Sequence, residues 1–220
     1  MKTIWLALLV LAPVLAALEL RAERAGARRR VYLLKPLTTF CILLIAALSP
    51  PPYRPGYHIP IVLGLFFSIW GDVFLMLPRD RFLAGLFSFL VALVCYLTAF
   101  INVAGFPDSP GVGLVLLGYA AYLLRRLWPH LGSYRVPVLV YALVLLLVLA
   151  GAITQLIDAP APRAWLAAAG ALLFVSSDSW LALDRFETRA PRRQTLVLAS
   201  YFAAQWLIAV SVTREAWWSR

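Results

Sequence analysis

Apolar residues fall along this chain in blocks long enough to cross a bilayer, separated by short stretches that hold almost all of the charge. A helix rises about 1.5 Å per residue and a hydrocarbon core is about 30 Å thick. Eight blocks meet that length with some tilt: residues 4–20, 31–48, 59–77, 82–104, 111–128, 136–156, 164–183 and 195–213. The breaks between them are turn-rich or basic: the Arg-rich block 21–30, the SPPPYRPGYHIP loop, the turn Pro78-Arg79-Asp80-Arg81, GFPDSPG, RRLWPHLGSYR, DAPAPR and RFETRAPRR. None is long enough for a soluble domain. The pattern predicts an all-α, polytopic transmembrane bundle of eight spans, one integral membrane domain over residues 1–220.

Composition agrees, with 63% hydrophobic residues, 14% charged and a mean hydropathy of +0.84. The net charge of +10 does not point to nucleic acid, because the arginines sit in short blocks between apolar runs, where they act as topology signals and anionic-lipid contacts. Of the 20 Lys and Arg residues, 15 lie in the loops after spans one, three, five and seven or at the adjoining span ends. Lys2, Arg54, Arg163, Arg214 and Arg220 lie on the other side. The positive-inside rule then puts the odd-numbered loops in the cytoplasm and both termini outside, and the expected location is a bacterial plasma membrane. Read as a cleaved signal peptide, the first run would leave Arg21, Arg24 and Arg28 to Arg30 on the translocated side, so a retained first span is expected. Cys41 and Cys95 lie inside apolar runs without a CxxC pair, as expected of packing residues. His58 and His130 fall in loops on opposite sides, and no metal-ligand spacing or cofactor motif is present.

One sequence echo organises the chain. Residues 66–82 read FFSIWGDVFLMLPRDRF and residues 174–186 read FVSSDSWLALDRF. Each carries an aspartate inside an apolar run, then DxxLxL, then a closing Asp-Arg-Phe: Asp72 with Leu75, Leu77 and Asp80-Arg81-Phe82, and Asp178 with Leu181, Leu183 and Asp184-Arg185-Phe186. An internal repeat of spans one to four on five to eight is therefore expected, parallel because spans three and seven run the same way. A carboxylate in hydrocarbon costs several kcal/mol, and such residues face a bundle interior or a wet cavity. A single one is often only an interhelical hydrogen-bond partner. Two at matching depth point to a shared polar site.

Both aspartates lie about 7 Å inside the cytoplasmic boundary, five residues before Leu77 and Leu183. Lys35 enters span two from that side with Thr38 and Thr39 a turn deeper, so it either neutralises one carboxylate or snorkels to the headgroups. Span eight enters there too, with Tyr201 and Gln205 four residues apart and so on one helical face. Span four brings Tyr96 to mid depth. Ser68, Ser176 and Ser177 flank the aspartates, but without a GxSxG motif or an intramembrane His there is no serine triad. Trp5, Trp128, Trp165, Trp217 and Trp218 fall near span ends, as an interfacial belt requires.

The run LLKPLTTF at 33–40, Gly71-Asp72 followed by LMLPRDRF, the SSDSWLALDRF block and YFAAQWLI at 201–208 resemble the YhhN/TMEM86 family of eight-span membrane proteins over about residues 31–210. Members of that family include lysoplasmalogenases, which hydrolyse the vinyl ether bond of lysoplasmalogens to a fatty aldehyde and a glycerophospho-alcohol. The resemblance implies that Lys35, Asp72, Asp178, Tyr201 and Gln205 occupy motif positions. It departs in span four, where the family often carries H-x-x-Y and this chain has Leu93-Val94-Cys95-Tyr96.

Vinyl ether hydrolysis begins with a proton delivered to the alkene carbon remote from the oxygen, giving an oxocarbenium ion that water captures as a hemiacetal. Two carboxylates suit it: one held protonated as the acid, the other ionised to stabilise the cation and accept a proton from water, a logic shared with glycoside hydrolysis. The pair does not need the missing His. The expected catalytic residues are thus Asp72 and Asp178, with Lys35, Thr39, Tyr96, Tyr201 and Gln205 binding a lysophospholipid or ether lipid. The alternative is a non-catalytic lysolipid-binding or transport protein, since parallel repeats with buried polar residues also suit alternating access.

Overall fold

Proline opens four of the helices at its favoured first-turn position, where its missing N–H costs nothing: α3 (Pro55–Met76), α5 (Pro110–Leu127), α7 (Pro162–Phe186) and α8 (Pro191–Val210). The others are α1 (Lys2–Arg24), α2 (Arg28–Ala47), α4 (Phe82–Ala104) and α6 (Arg135–Asp158). Together they form an all-α bundle, seen in a computed structural model that describes residues 2–51, 54–77, 80–188 and 190–213, with backbone alone at 191 and 192. Arg79, Arg189, Arg214 and Arg220 of the charge pattern, Pro78 of the predicted turn, and Trp217 and Trp218 of the aromatic belt lie outside the described residues. Most helices run a few residues past the predicted spans, because a helix does not stop where the hydrocarbon ends. His58 lies within the first turn of α3 instead of in a loop, and its Nε2 is 2.9 Å from the Ala46 carbonyl at the end of α2.

Among the described residues six helices, α1 to α4, α6 and α7, are long and apolar enough to cross a membrane. Only 33–44% of each spanning stretch is buried inside the protein, so the remaining apolar surface has to be covered by lipid. The other two fall short for visible reasons. α5 has 18 residues and ends in Arg125 and Arg126, while α8 carries Arg193, Gln194 and Gln205, the last fully buried.

Repeat and packing coincide most closely around the second half of each unit. α3 packs along α4 and α7 along α8, and the closing tripeptides of the two repeats interlock: Arg185 of the second pairs with Asp80 of the first, and the Phe82 and Phe186 rings meet edge-on at 5.6 Å. Small residues bring α3 and α4 close, since a Cβ on Gly64 would run into the Tyr96 ring and one on Gly71 into Phe89. The first half is less symmetric. α1 packs firmly on α2, with Trp5 Nε1 donating to the Ile45 carbonyl at 2.9 Å, whereas α5 touches its neighbours sparsely and Leu127 is its one buried residue.

Candidate active site

Asp72 sits in the last turns of α3 on the face turned to α2 and α8, with 1% of its surface exposed. Its Oδ2 accepts hydrogen bonds from Thr39 Oγ1 on α2 at 2.6 Å and from the Tyr201 hydroxyl on α8 at 2.8 Å. Lys35 Nζ, one helical turn before Thr39, lies 3.4 Å from Oδ1. Of the two fates open to Lys35, pairing prevails over snorkelling. A second link joins α4 to α8 beside it: the Tyr96 hydroxyl donates to Gln205 Oε1 at 2.6 Å and lies 3.4 Å from Ser68 Oγ. Thus Lys35, Thr39, Asp72 and Tyr201 form one contact group, and Tyr96 with Gln205 another, a turn along α8. Phe89 and Phe174 close the space between them, with ring centroids 5.8 and 6.0 Å from that of Tyr201.

Asp178 has a different setting. On α7 it is half-buried, and its hydrogen-bonding partner is the Tyr141 hydroxyl of α6, donating to Oδ2 at 2.5 Å. No hydrogen bond joins Asp178 to Asp72 among the described residues; the two carboxylates instead line one cavity of about 800 Å³. That cavity opens at the end where the two Asp-Arg-Phe segments meet, and Lys35 and Tyr201 also line it. Asp178 further borders a narrow apolar slot between α4, α5, α6 and α7, walled by residues such as Leu86, Leu123, Leu145 and Ala182. A polar chamber and a greasy slot therefore meet at one carboxylate.

Several polar residues here were not read from the chain. Tyr141 was within reach: if span two supplies Lys35 and Thr39 to Asp72, the repeat assigns span six to Asp178, and Tyr141 is the first polar residue after Pro137 in that span. Tyr119 on α5, whose hydroxyl lies 2.6 Å from Ser179 Oγ, offers no comparable signal. Glu19 is the larger omission. It lies in the last turns of α1, inside ALEL, and is completely buried, with neither carboxylate oxygen hydrogen-bonded among the described residues. Its position beside the Arg-rich block disguised it as an interfacial charge. Leu93, where the resemblance would place His, is fully buried in the apolar core one turn before Tyr96. Ser177 Oγ donates to the Val197 carbonyl at 2.9 Å and ties α7 to α8. Cys41 and Cys95 are free thiols.

Residues 31–212 match the YhhN family. The chain belongs to that family. Among YhhN relatives, an uncharacterized membrane protein YhhN of Escherichia coli is 30% identical over 200 residues, 90% of this chain and 94% of its own length. A protein named lysoplasmalogenase TMEM86A in Bos taurus is 36% identical over 162 residues, 70% of this chain and 65% of the relative. One named lysoplasmalogenase in Mycobacterium bovis is 33% identical over 176 residues, 76% of this chain and 64% of the relative. No solved structure matches this YhhN chain. The apolar helices and the membrane-protein relatives together make it an integral membrane protein.

Proposed function

We propose that this protein hydrolyses the vinyl ether bond of a lysoplasmalogen, an alkenyl glycerophospholipid with one chain, releasing a fatty aldehyde and a glycerophospho-alcohol. The observation that carries the reading is the position of Asp178 where the polar cavity meets the apolar slot. A single-chain lipid with its hydrocarbon in the slot and its glycerophosphate in the cavity has its vinyl ether at that junction. The relatives named lysoplasmalogenase support the same chemistry.

The two carboxylates take separate roles. Asp72 faces an ammonium and two hydroxyl donors, all partners of a charged carboxylate, and remains ionised to stabilise the oxocarbenium ion. Asp178 has one donor on one oxygen, leaving the other to carry the proton. That proton passes to the alkene carbon remote from the ether oxygen as the C=C electrons form the new C–H bond. Water then attacks the carbon bonded to oxygen, and the proton it gives up returns to the carboxylate pair. The hemiacetal loses its hydroxyl proton and breaks its bond to the glycerol oxygen, which takes a proton and leaves as the alcohol. Lys35, at the cavity wall, meets the phosphate as a point charge. Tyr201 and Thr39 hold Asp72 in place, while Tyr96 and Gln205 brace α4 against α8.

Purified protein in mixed micelles with alkenyl glycerophosphoethanolamine should release long-chain aldehyde stoichiometric with the freed glycerophospho-alcohol. Absence of aldehyde from a folded sample that still binds the saturated ether analogue would replace the enzyme by the lysolipid-binding or transport reading. The charge pattern further proposes that this chamber opens to the cytoplasm of a bacterial cell. Cysteines introduced in 21–30 and 187–193 should then resist an impermeant external thiol reagent while one near Arg54 reacts. External labelling of both Arg-rich loops would reverse the orientation.

A further inference from the structure

Beside the reaction chamber lies a second cavity of about 570 Å³, and the reaction above leaves its main feature unused. Glu19 lines it, fully buried, with both carboxylate oxygens lacking a hydrogen-bond partner among the described residues. An ionised carboxylate buried without a partner costs several kcal/mol, so such a residue is held either by a proton or by a cation that enters beside it. Neither fixed cation of the lining makes an ion pair with Glu19 among the described residues: Lys35 acts on it from a distance while its Nζ pairs with Asp72, and Arg28 is exposed. The two cavities are continuous in their lining, sharing Glu23, Lys35 and Gln194.

We infer that this second cavity is the headgroup site and that Glu19 binds the ammonium of an ethanolamine headgroup in preference to choline. The inference rests on the lysolipid reading for the class of ligand. With the phosphate at Lys35, the two-carbon arm beyond it reaches toward the cavity that Lys35 shares with Glu19. A primary ammonium carries three N–H donors and needs acceptors. Glu19 and Glu23 offer carboxylate oxygens and Gln194 a carbonyl. A quaternary ammonium has no N–H and is held by the faces of aromatic rings. Tyr32 is the one aromatic residue in this lining, 40% exposed at the rim, and makes no cage. The chemistry of the walls therefore suits hydrogen-bonded R–NH3+ and lacks what a trimethylammonium requires.

The test uses lipids that cannot be cleaved, so that it does not depend on turnover: saturated-ether lysolipids of one chain length bearing phosphoethanolamine, phosphocholine or a bare phosphate. Wild type should bind the ethanolamine lipid at least about tenfold more tightly than the choline lipid, a difference of about 1.4 kcal/mol. Glu19→Gln should abolish that preference and leave the affinity for the bare phosphate lipid unchanged or higher. Glu23→Gln, at a partly exposed position, should narrow the same preference and provides a second variant should Glu19→Gln fold poorly. Equal wild-type affinity for the two amine lipids, or a preference that survives both substitutions, overturns the headgroup assignment. Loss of the preference in Glu19→Gln alongside absent aldehyde release would keep the headgroup site and discard the hydrolase.

Discussion

Asp72 and Asp178 hold the same place in two copies of one sequence pattern, yet the fold surrounds them differently. Asp72 is sealed among a lysine, a threonine and a tyrosine drawn from α2 and α8. Asp178 rests on one tyrosine from α6 and looks into both an aqueous chamber and an apolar slot. The sequence pattern gives the two carboxylates matching places, and the neighbouring helices make one a fixed counter-ion and leave the other facing a cavity and a slot. The asymmetry has a packing origin: α1 is firmly seated on α2, while its counterpart α5 barely covers α6 and leaves the slot beside Asp178.

The contrast should show most strongly in stability. Asp72→Ala strands the largely buried Lys35 charge and is expected to cost about 3–5 kcal/mol, whereas Asp178→Ala should cost about 1 kcal/mol. Unfolding in mixed micelles checks this, and Lys35→Met should recover much of the Asp72→Ala loss without affecting Asp178→Ala. Equal losses at the two aspartates would remove the distinction. Next in size, Tyr141→Phe deletes the single donor to Asp178 and should lower kcat about 10- to 100-fold with little change in lipid affinity. Ala142→Phe narrows the slot next to Asp178 and should raise KM about tenfold for long-chain substrates and less for short-chain ones, as seen from a chain-length series.

The smallest effect belongs to the link between the repeats. The Arg185 guanidinium beside Asp80 holds that carboxyl below the usual carboxylate range. Because the folded value is the lower one, the pair stabilises the fold fully above the ordinary Asp pKa of about 3.9, and the contribution is lost as pH falls through the folded value. Asp80 is mostly exposed, so Asp80→Asn should lower Tm by no more than about 2 °C at pH 7, and by progressively less as pH falls below about 3.9. A deficit that persisted at acid pH would mean that Asp80 acts by something other than charge.

Much of this was legible in the chain because the membrane writes a simple code. Apolar blocks marked eight helices, and a carboxylate in such a block stands out, which is why Asp72 and Asp178 drew attention, while the spacing of Tyr201 and Gln205 put them on one helical face and the family resemblance added motif positions. Partner choice was harder to read. Whether Lys35 reaches inward or snorkels depends on which helix lies beside α2, and no periodicity encodes that. The two aspartates were expected to share one polar site. Both line one chamber, with no hydrogen bond between them among the described residues, because helix packing and not sequence register sets how close they stand. Glu19 escaped notice since it stands two residues before Arg21, at the edge of the Arg-rich block, whereas the fold buries it beside a cavity that Glu23, Lys35 and Gln194 also line.

Aldehyde release in a single turnover by Asp178→Asn and by wild type, with binding of the saturated ether analogue measured on the same samples, tests the central claim most directly. The account predicts that folded Asp178→Asn loses at least about a thousandfold in the rate of aldehyde formation, the upper range for removal of a general acid, while its affinity for the analogue stays within about threefold of wild type. Aldehyde release near the wild-type rate from folded Asp178→Asn would contradict it, and the carboxylate would then be no more than a hydrogen-bond partner for Tyr141.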